Sequence, residues 1–325
     1  MEVAIEDEDN TEEEENDVAL GPEESTVYRS IAGRANYLAA HRPDLMYAVK
    51  ELCRGMAAPT KGHWLKLKRL GRYLVENGRT VLRYDWQGHE QEVTGYSDSD
   101  WAGCRKTGRS TSGGAIMIGG HFIKGWSRTQ NYVTLSSAEA ELYAMVKCTA
   151  ELLGIRSMLR HFGRDSSGVI YADSSAALAI AKRKGAGKIR HINISCLWIQ
   201  ERADSKELDM RKVLGTENPA DMMTKHLARQ PLDKCMRHLN QHRATGRAKT
   251  GLQVQGAGSA KANPTGSPGA PLGGAEAQEK GAETINSVRF RPAEVVEVPN
   301  WKELNKGMNY RPQEARHRTL YVDAD

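Results

Sequence analysis

The sequence contains no Cys-x-x-Cys pair, and its five cysteines are scattered and odd in number. A disulfide framework normally uses an even set of cysteines, and structural zinc sites normally use paired ones. The pattern therefore argues against both kinds of site and favours a reducing compartment. One loosely metal-like spacing, Cys235-x-x-His238-x-x-x-His242, lies in a polar basic segment without a fourth ligand, and we interpret it as coincidental.

Membrane and export segments are missing as well. No apolar run approaches the roughly 20 residues that a membrane-spanning helix needs. The first 25 residues contain twelve acidic side chains and no lysine or arginine, whereas signal and transit peptides are basic. We therefore predict an intracellular protein, cytoplasmic or nuclear, with no membrane partner and with an acidic disordered tail over residues 1–25.

Positive charge dominates the rest of the chain, although the overall value of +5 conceals it. The remaining 300 residues contain 46 basic and 29 acidic side chains, a formal charge of +17. Such a surface favours a polyanionic partner, because neutralising phosphates releases counterions. Solubility alone is the alternative explanation.

Apolar residues recur at helical spacing in the segment 26–85, which predicts a small region of three helices. Residues 27–84 include twelve basic and three acidic side chains. Five of the basic residues cluster on the third helix: Lys61, Lys66, Lys68, Arg69 and Arg72. We interpret them as a face that contacts phosphates, with an ordinary solvated helix face as the alternative.

From about residue 91 the spacing becomes that of strands. Three strands come first, and the second and third form a hairpin that turns at Gly119-Gly120. A long helix over about 136–161, a short apolar strand, two helices, another strand and a last helix follow. This order predicts an α/β domain over residues 91–228, with a mixed sheet and helices on its faces. Residues 229–325 are predicted to be a mostly disordered tail rich in Gly, Ala and Lys.

Three aspartates lie where strands end or helices begin. Asp98 ends the first strand of the domain, a place where aspartate is depleted and costly to bury. Asp173 ends the short apolar strand, and capping of the next helix explains it equally well. Asp221 lies in the helix start Asn218-Pro-Ala-Asp, where an acid is stabilising by itself. The case for a site therefore depends on whether these acids converge at one edge of the sheet.

The long helix distinguishes between two glutamates. Its core-facing stripe is marked by Ala138, Met145, Cys148 and Leu152. Glu141 falls on that stripe, whereas Glu139 lies about 200° away around the helix. We therefore predict that Glu141 points inward, where it needs a cation or a proton, and that Glu139 is an ordinary surface acid. A position at the edge of the stripe is the alternative for Glu141.

Six motifs resemble, in order, those of the ribonuclease H domain of copia-type LTR retrotransposon Pol polyproteins. They are Gly95-Tyr-Ser-Asp-Ser-Asp-Trp-Ala-Gly103, Arg109-Ser-Thr-Ser-Gly113, Thr134-Leu-Ser-Ser-Ala-Glu-Ala-Glu-Leu142, Ala172-Asp-Ser-Ser-Ala176, Arg190-His-Ile192 and Asn218-Pro-Ala-Asp-Met-Met-Thr-Lys225. Upstream, three further motifs resemble the connection segment that joins reverse transcriptase to ribonuclease H. These are Tyr28-Arg-Ser-Ile-Ala-Gly33, Arg42-Pro-Asp-Leu-Met-Tyr-Ala-Val49 and Pro59-Thr-Lys-Gly-His-Trp64. The resemblance extends over roughly residues 27–228.

The resemblance implies a ribonuclease H-like fold, with a mixed five-stranded sheet and helices on both faces, a preceding helical segment and disordered flanking tails. It assigns catalysis and metal binding to four acids: Asp98, Glu141, Asp173 and Asp221. Two Mg²⁺ ions, or Mn²⁺ in their place, would support endonucleolytic hydrolysis of the RNA strand of an RNA–DNA hybrid. Both ions prefer hard oxygen ligands such as carboxylates.

The same resemblance implies the partners of the chain. Ser136 and Ser137 fall where ribonucleases H contact the minor groove of the hybrid. Expected partners are an RNA–DNA hybrid or another nucleic acid, together with other components of the Pol polyprotein.

Three departures from the family pattern keep a second hypothesis open. The stretch 212–218 lacks the mobile histidine that many ribonucleases H carry, Asn193 replaces a frequent acid, and the polymerase Tyr-x-Asp-Asp motif is absent. The alternative is a catalytically inactive nucleic-acid-binding relic of a truncated retroelement. A transposase or integrase on the same fold is disfavoured, because the sequence has no zinc-binding His/Cys module and places its helical glutamate right after the third strand.

Overall fold

The computed structural model describes residues 18–88, 92–185, 187, 191–192, 194–246 and 319–323. The three predicted N-terminal helices are present as α1 (Pro22–Ala39), α2 (Met46–Arg54) and α3 (Lys61–Glu76), with a 3₁₀ turn at Pro43–Leu45. Helix α1 begins inside the predicted acidic tail. Proline at its first position and two glutamates in its first turn favour a helix start at that point. The tail prediction for residues 1–17 lies outside the described residues.

Helix α3 is followed by a strand of a separate three-stranded sheet, which the sequence patterns did not predict. Strand β1 (Arg79–Asp85) pairs antiparallel with β7 (Gln241–Ala244) on one side and with β8 (Thr319–Asp323) on the other. Helix α7 (Arg229–His238) precedes β7. The predicted disordered tail is therefore corrected where the structure describes it, because residues 229–244 form a helix and a strand and residues 319–323 form a strand. Burial of Met236 and Leu239 stabilises the 229–244 segment. The prediction for residues 247–318 and 324–325 lies outside the described residues.

The predicted mixed five-stranded sheet is confirmed. Its strands are β2 (Glu92–Cys104), β3 (Arg109–Ile118), β4 (His121–Thr129), β5 (Ser167–Ala172) and β6 (Asp209–Lys212). The order across the sheet is β4-β3-β2-β5-β6, so β2 is the central strand. Strands β2, β3 and β4 are antiparallel, whereas β5 runs parallel to β2 and β6 parallel to β5. This is the arrangement that the family resemblance implied.

Helices cover both faces of this sheet. On one face, α4 (Ser137–His161), α5 (Ser175–Lys182) and α6 (Ile194–Asp204) enclose an apolar cluster that includes Ile116 and Ile170. On the other face, Ala115 and Met117 belong to a cluster built with α1, α2, α3 and α7. Neighbouring residues of β3 thus enter opposite cores, as strand geometry requires.

The predicted regions 26–85 and 91–228 share this second core and fall in one compact unit. Within the described ranges, no helix combines the length and the apolar character needed to cross a membrane.

A carboxylate cluster on the central strand

Three of the four predicted acids converge at one edge of the sheet. Strands β2 and β5 run parallel with Tyr96 opposite Tyr171, so Asp98 and Asp173, two residues further on, lie side by side. The prediction that Asp98 ends its strand is wrong, because β2 continues to Cys104 and pairs Asp98 with Gly113 of β3. Glu141 reaches the same place from α4. One carboxylate oxygen from each of Asp98, Glu141 and Asp173 lies within 4.8 Å of the other two. Among the described residues, no other group of three or more metal-ligating side chains converges in this way.

Glu141 points inward, as its position on the helical stripe predicted, and only 8% of its surface is exposed. Its Oε1 accepts a hydrogen bond of 3.2 Å from the backbone amide of Ser99. Its buried Oε2 has no hydrogen-bond partner in the part of the chain that the structure describes. Burial, followed by the charges of Asp98 and Asp173, raises the pKa of Glu141 to about 9. A cation between these carboxylates would satisfy the unpaired oxygen and relieve the repulsion.

The two aspartates of the cluster are perturbed in the same direction. Burial is the largest cause and the charge of Asp221 the next, and together they raise the pKa of Asp98 to about 7. The hydroxyl of Thr224 donates to Asp98 Oδ2, which favours the ionised form. The pKa of Asp173 is also raised, by burial first and then by Asp221. Asp100, the other acid of the first motif, lies outside the cluster.

Asp221 lies beside this cluster, not within it. Its Oδ1 is 3.1 Å from the Nζ of Lys225, with which it forms an ion pair. The predicted helix over 218–227 is only a 3₁₀ turn, Pro219–Met223. The side chain of Asn218 caps this turn by accepting from the backbone amide of Ala220 at 3.2 Å. After the turn, the side chain of Thr224 bonds to Asp98 of β2, so the segment follows the sheet and does not continue as a helix.

Glycine at position 113 allows this turn to approach the sheet. A Cβ atom there would lie 2.7 Å from the Cγ2 of Thr224 and 2.9 Å from the Cβ of Met223. Both distances are too short for a side chain, so the close approach requires glycine. The Nδ2 of Asn218 also donates to the backbone carbonyl of Ser97 at 2.9 Å. The turn is therefore held against β2 at the residue that precedes Asp98.

The prediction for Glu139 is wrong. Only 4% of its surface is exposed, and its Oε2 accepts a 2.8 Å hydrogen bond from the backbone amide of Leu135. The Nε2 of His191 lies 3.2 Å from the same oxygen. The helical-face rule fails here because Glu139 is in the first turn of α4, where a side chain can fold back onto the free amides before the helix.

The predicted nucleic-acid contacts are distributed over two surfaces. Ser136 caps α4 by accepting from the backbone amide of Glu139 at 3.2 Å, and both Ser136 and Ser137 are exposed at the helix end that carries Glu141. On α3, Lys61, Lys68 and Arg72 are exposed, whereas Lys66 and Arg69 are half-buried and have partners within the protein. The five basic residues therefore do not form a uniform solvated face.

Sequence reasoning missed two residues of the site, Thr224 and Lys225. Both belong to the motif that begins at Asn218, in which only Asp221 was predicted to have a role. The signal that could have found them is their spacing from Asp221. Residues three and four positions after an acid lie on the same side of a helical turn.

No protein-family model matches the chain. The chain is 31% identical over 235 residues to the retrovirus-related Pol polyprotein from transposon TNT 1-94 of Nicotiana tabacum, a match that covers 71% of this chain and 17% of that protein. It is 36% identical over 210 residues to the Pol polyprotein from transposon RE2 of Arabidopsis thaliana, covering 63% of this chain and 14% of that protein. The chain thus spans less than a fifth of the length of these two relatives.

Among solved structures, LC11-RNase H1 in complex with an RNA/DNA hybrid is similar over 99% of its own chain and 44% of this one. The sequence identity is 15% and the TM-score is 0.28. A superposition at this score adds nothing to the fold assignment, which rests on the strand order and directions described above.

Proposed function

We propose, from the similarity of the chain to retrovirus-related Pol polyproteins of transposons, that it is a metal-dependent ribonuclease H of a copia-type retrotransposon. Its substrate would be an RNA–DNA hybrid, and the reaction would be endonucleolytic hydrolysis of the RNA strand. The observation that carries this proposal is the convergence of Asp98, Glu141 and Asp173 within 4.8 Å. Carboxylates at this spacing repel one another unless a cation or a proton compensates their charge, and oxygen ligands suit Mg²⁺ and Mn²⁺.

The four acids would share the binding of the metal ions in this proposal. Asp98, Glu141 and Asp173 would hold the divalent ions, and Asp221 would complete the ligand set from the side of the cluster. When bound, two such ions activate a water and stabilise the oxygen that leaves the phosphate. The hydrogen bonds from Ser99 and Thr224 fix one oxygen each of Glu141 and Asp98. The remaining oxygens are left for the ions.

Recognition of the hybrid would use surfaces around this cluster. Ser136 and Ser137 would contact the minor groove, where the 2′-hydroxyl groups distinguish RNA from DNA. The basic side chains of α3, Lys61, Lys66, Lys68, Arg69 and Arg72, would contact the phosphate backbone without reading sequence. Other components of the Pol polyprotein would share the substrate.

A cleavage assay on the full chain tests the proposal. The substrates are a hybrid with labelled RNA and the corresponding double-stranded DNA, each with Mg²⁺, with Mn²⁺ or with a chelator. We expect metal-dependent cutting of the RNA strand of the hybrid only. The variant Glu141→Gln should reduce cutting to background, because it removes a charged ligand without changing shape. Glu201→Gln is the matched control, since 71% of the Glu201 side chain is exposed. Equal cutting by the two variants would refute the site assignment.

The second candidate function is binding of nucleic acid without cleavage. The observation that favours it is the ion pair of Asp221 with Lys225, which leaves Asp221 outside the three-carboxylate group. The same experiment separates the candidates. A chain that binds the hybrid and Mn²⁺ but leaves the RNA intact would support the second one.

A further inference from the structure

Lys225 forms an ion pair with Asp221 at one side of the carboxylate cluster. Its Nζ is 3.1 Å from the Oδ1 of Asp221, and 47% of its side chain is exposed. Burial by itself lowers the pKa of Lys225, but the charges of Asp98 and Asp221 outweigh burial and raise it. The ion pair places the ammonium group beside the carboxylate of Asp221.

The charge of Lys225 acts on more than its direct partner. It opposes the rise in pKa at Asp98, Asp173 and Asp100. Two further lysines each oppose the rise in pKa at one aspartate: Lys212 at Asp173 and Lys50 at Asp100. Lys225 is the cation that these three aspartates have in common.

Hydrogen bonds hold the backbone next to Lys225, and they place the start of its side chain on the same turn as Asp221. The preceding residue, Thr224, is fully buried and donates to Asp98 Oδ2. Its backbone amide donates to the carbonyl of Asp221 at 3.1 Å. The lack of a side chain at Gly113 lets this backbone approach the sheet. Two consecutive residues thus hold Asp98 and Asp221 respectively.

We propose that Lys225 is a built-in counter-cation of the carboxylate site, which neutralises the acids when no metal is bound and competes with a divalent ion at the Asp221 side. The inference rests on the proposed metal site. It adds that the affinity of that site is set low by the chain itself. Lys225 is a positioning residue in this account, because it acts through Asp221 and through its charge.

Mn²⁺ binding to the full chain tests the inference directly. Free Mn²⁺ is followed by its electron paramagnetic resonance signal, without nucleic acid, at low ionic strength and pH 8.5. We expect Lys225→Gln to bind Mn²⁺ about tenfold more tightly than the wild type, since one charge several ångströms from a divalent ion contributes a factor of that order. Lys225→Arg, which keeps the charge, should bind as the wild type does. The difference should shrink at high salt, because Lys225 is partly exposed.

Lys234→Gln is the matched control. Lys234 forms an ion pair with Glu217, which lies 17 residues earlier in the chain. Its side chain is 45% exposed, so it resembles Lys225 in exposure and in charge. Metal-free thermal unfolding provides a second readout. Lys225→Gln should melt at a lower temperature than Lys234→Gln, and added Mn²⁺ should close the gap. Lys225→Met, which keeps the apolar stem, gives a second charge-free variant in case Lys225→Gln does not fold.

The outcomes separate this inference from the proposed function. If the wild type binds Mn²⁺ and cuts the hybrid, but Lys225→Gln and Lys234→Gln have equal Mn²⁺ affinities, only the inference is overturned. The same holds if Lys225→Arg behaves like Lys225→Gln. If no variant binds Mn²⁺ at millimolar concentration, the proposed function and the inference both fail.

Discussion

Replacing Glu141 by glutamine should remove a pH dependence from the stability of the metal-free protein. The pKa of Glu141 is raised from 4.5 to about 9 in the folded state. Between these values the folded chain holds a proton that the unfolded chain has lost, so stability decreases as pH rises through this window. One pKa unit corresponds to about 1.4 kcal/mol, which gives an upper limit of about 6 kcal/mol for this one carboxyl group.

The assay is urea unfolding at intervals from pH 4 to 9.5, with a chelator present. Below pH 4.5 the wild type and Glu141→Gln should have similar free energies of unfolding, because both side chains are uncharged. Towards pH 9 the variant should be more stable by several kcal/mol. Asp98 also contributes to the decline in the wild type, up to its own pKa of about 7. The variant should therefore still lose some stability as the pH rises towards 7, but less than the wild type loses over the whole range.

Divalent metal should reverse the difference. In millimolar Mn²⁺ the wild type gains stability by mass action, whereas Glu141→Gln, which lacks one ligand, gains less. Glu201→Gln serves as the control and should follow the wild type under all conditions. Free energies of unfolding that fall in parallel for the wild type and Glu141→Gln between pH 5 and 9 would refute the reasoning. They would mean that Glu141 ionises in the folded state without cost.

Three further predictions concern the surroundings of the cluster. Gly113→Ala should destabilise the protein by roughly 2 kcal/mol or more and weaken Mn²⁺ binding, because its Cβ would collide with the 218–225 segment. The control is Gly33→Ala, since nothing lies within 4 Å of a Cβ at that position. It should stabilise α1 slightly in the same urea titration. Thr224→Val should weaken Mn²⁺ binding while Thr224→Ser should restore it, and equal affinities would exclude a role for the hydroxyl. A fragment of residues 91–228 should give no cooperative thermal transition by circular dichroism, because it lacks the helices that complete the second core; a sharp transition would contradict the shared core.

The parts of the site that sequence alone could predict are those decided locally. The inward position of Glu141 follows from the helical spacing of Ala138, Met145, Cys148 and Leu152 in α4. The strand that contains Asp98 could also be predicted, but its end could not, because pairing with β3 carries β2 on to Cys104. Glu139 was mispredicted because the same period was applied to the first turn of the helix. In that turn, backbone amides without helical partners compete for the side chain.

The parts that could not be predicted depend on contacts between distant segments. Strands β1 and β7 are short and lie about 160 residues apart in the chain, so neither has a local signal of pairing. Lys225 could be read only as a basic residue of the last motif. Its significance appears when the Asn218–Met223 region is placed against β2 and β3, because only then does its charge face three aspartates from other elements.

The helical segment before the sheet supports the carboxylate cluster through the 218–225 segment. Met222 and Met223 lie in the same apolar cluster as α1, α2 and α3, whereas Asn218 and Thr224 of the same segment bond to β2. A change in the packing of the helices would therefore act on the hydrogen bond between Thr224 and Asp98. Helix α3 could therefore have two roles that experiments can separate: its charges could bind the hybrid, and its apolar contacts could support the carboxylate cluster. Loss of its exposed charges would weaken binding of the hybrid in a salt-dependent way and leave Mn²⁺ affinity unchanged. Loss of its apolar contacts would act on metal affinity and stability.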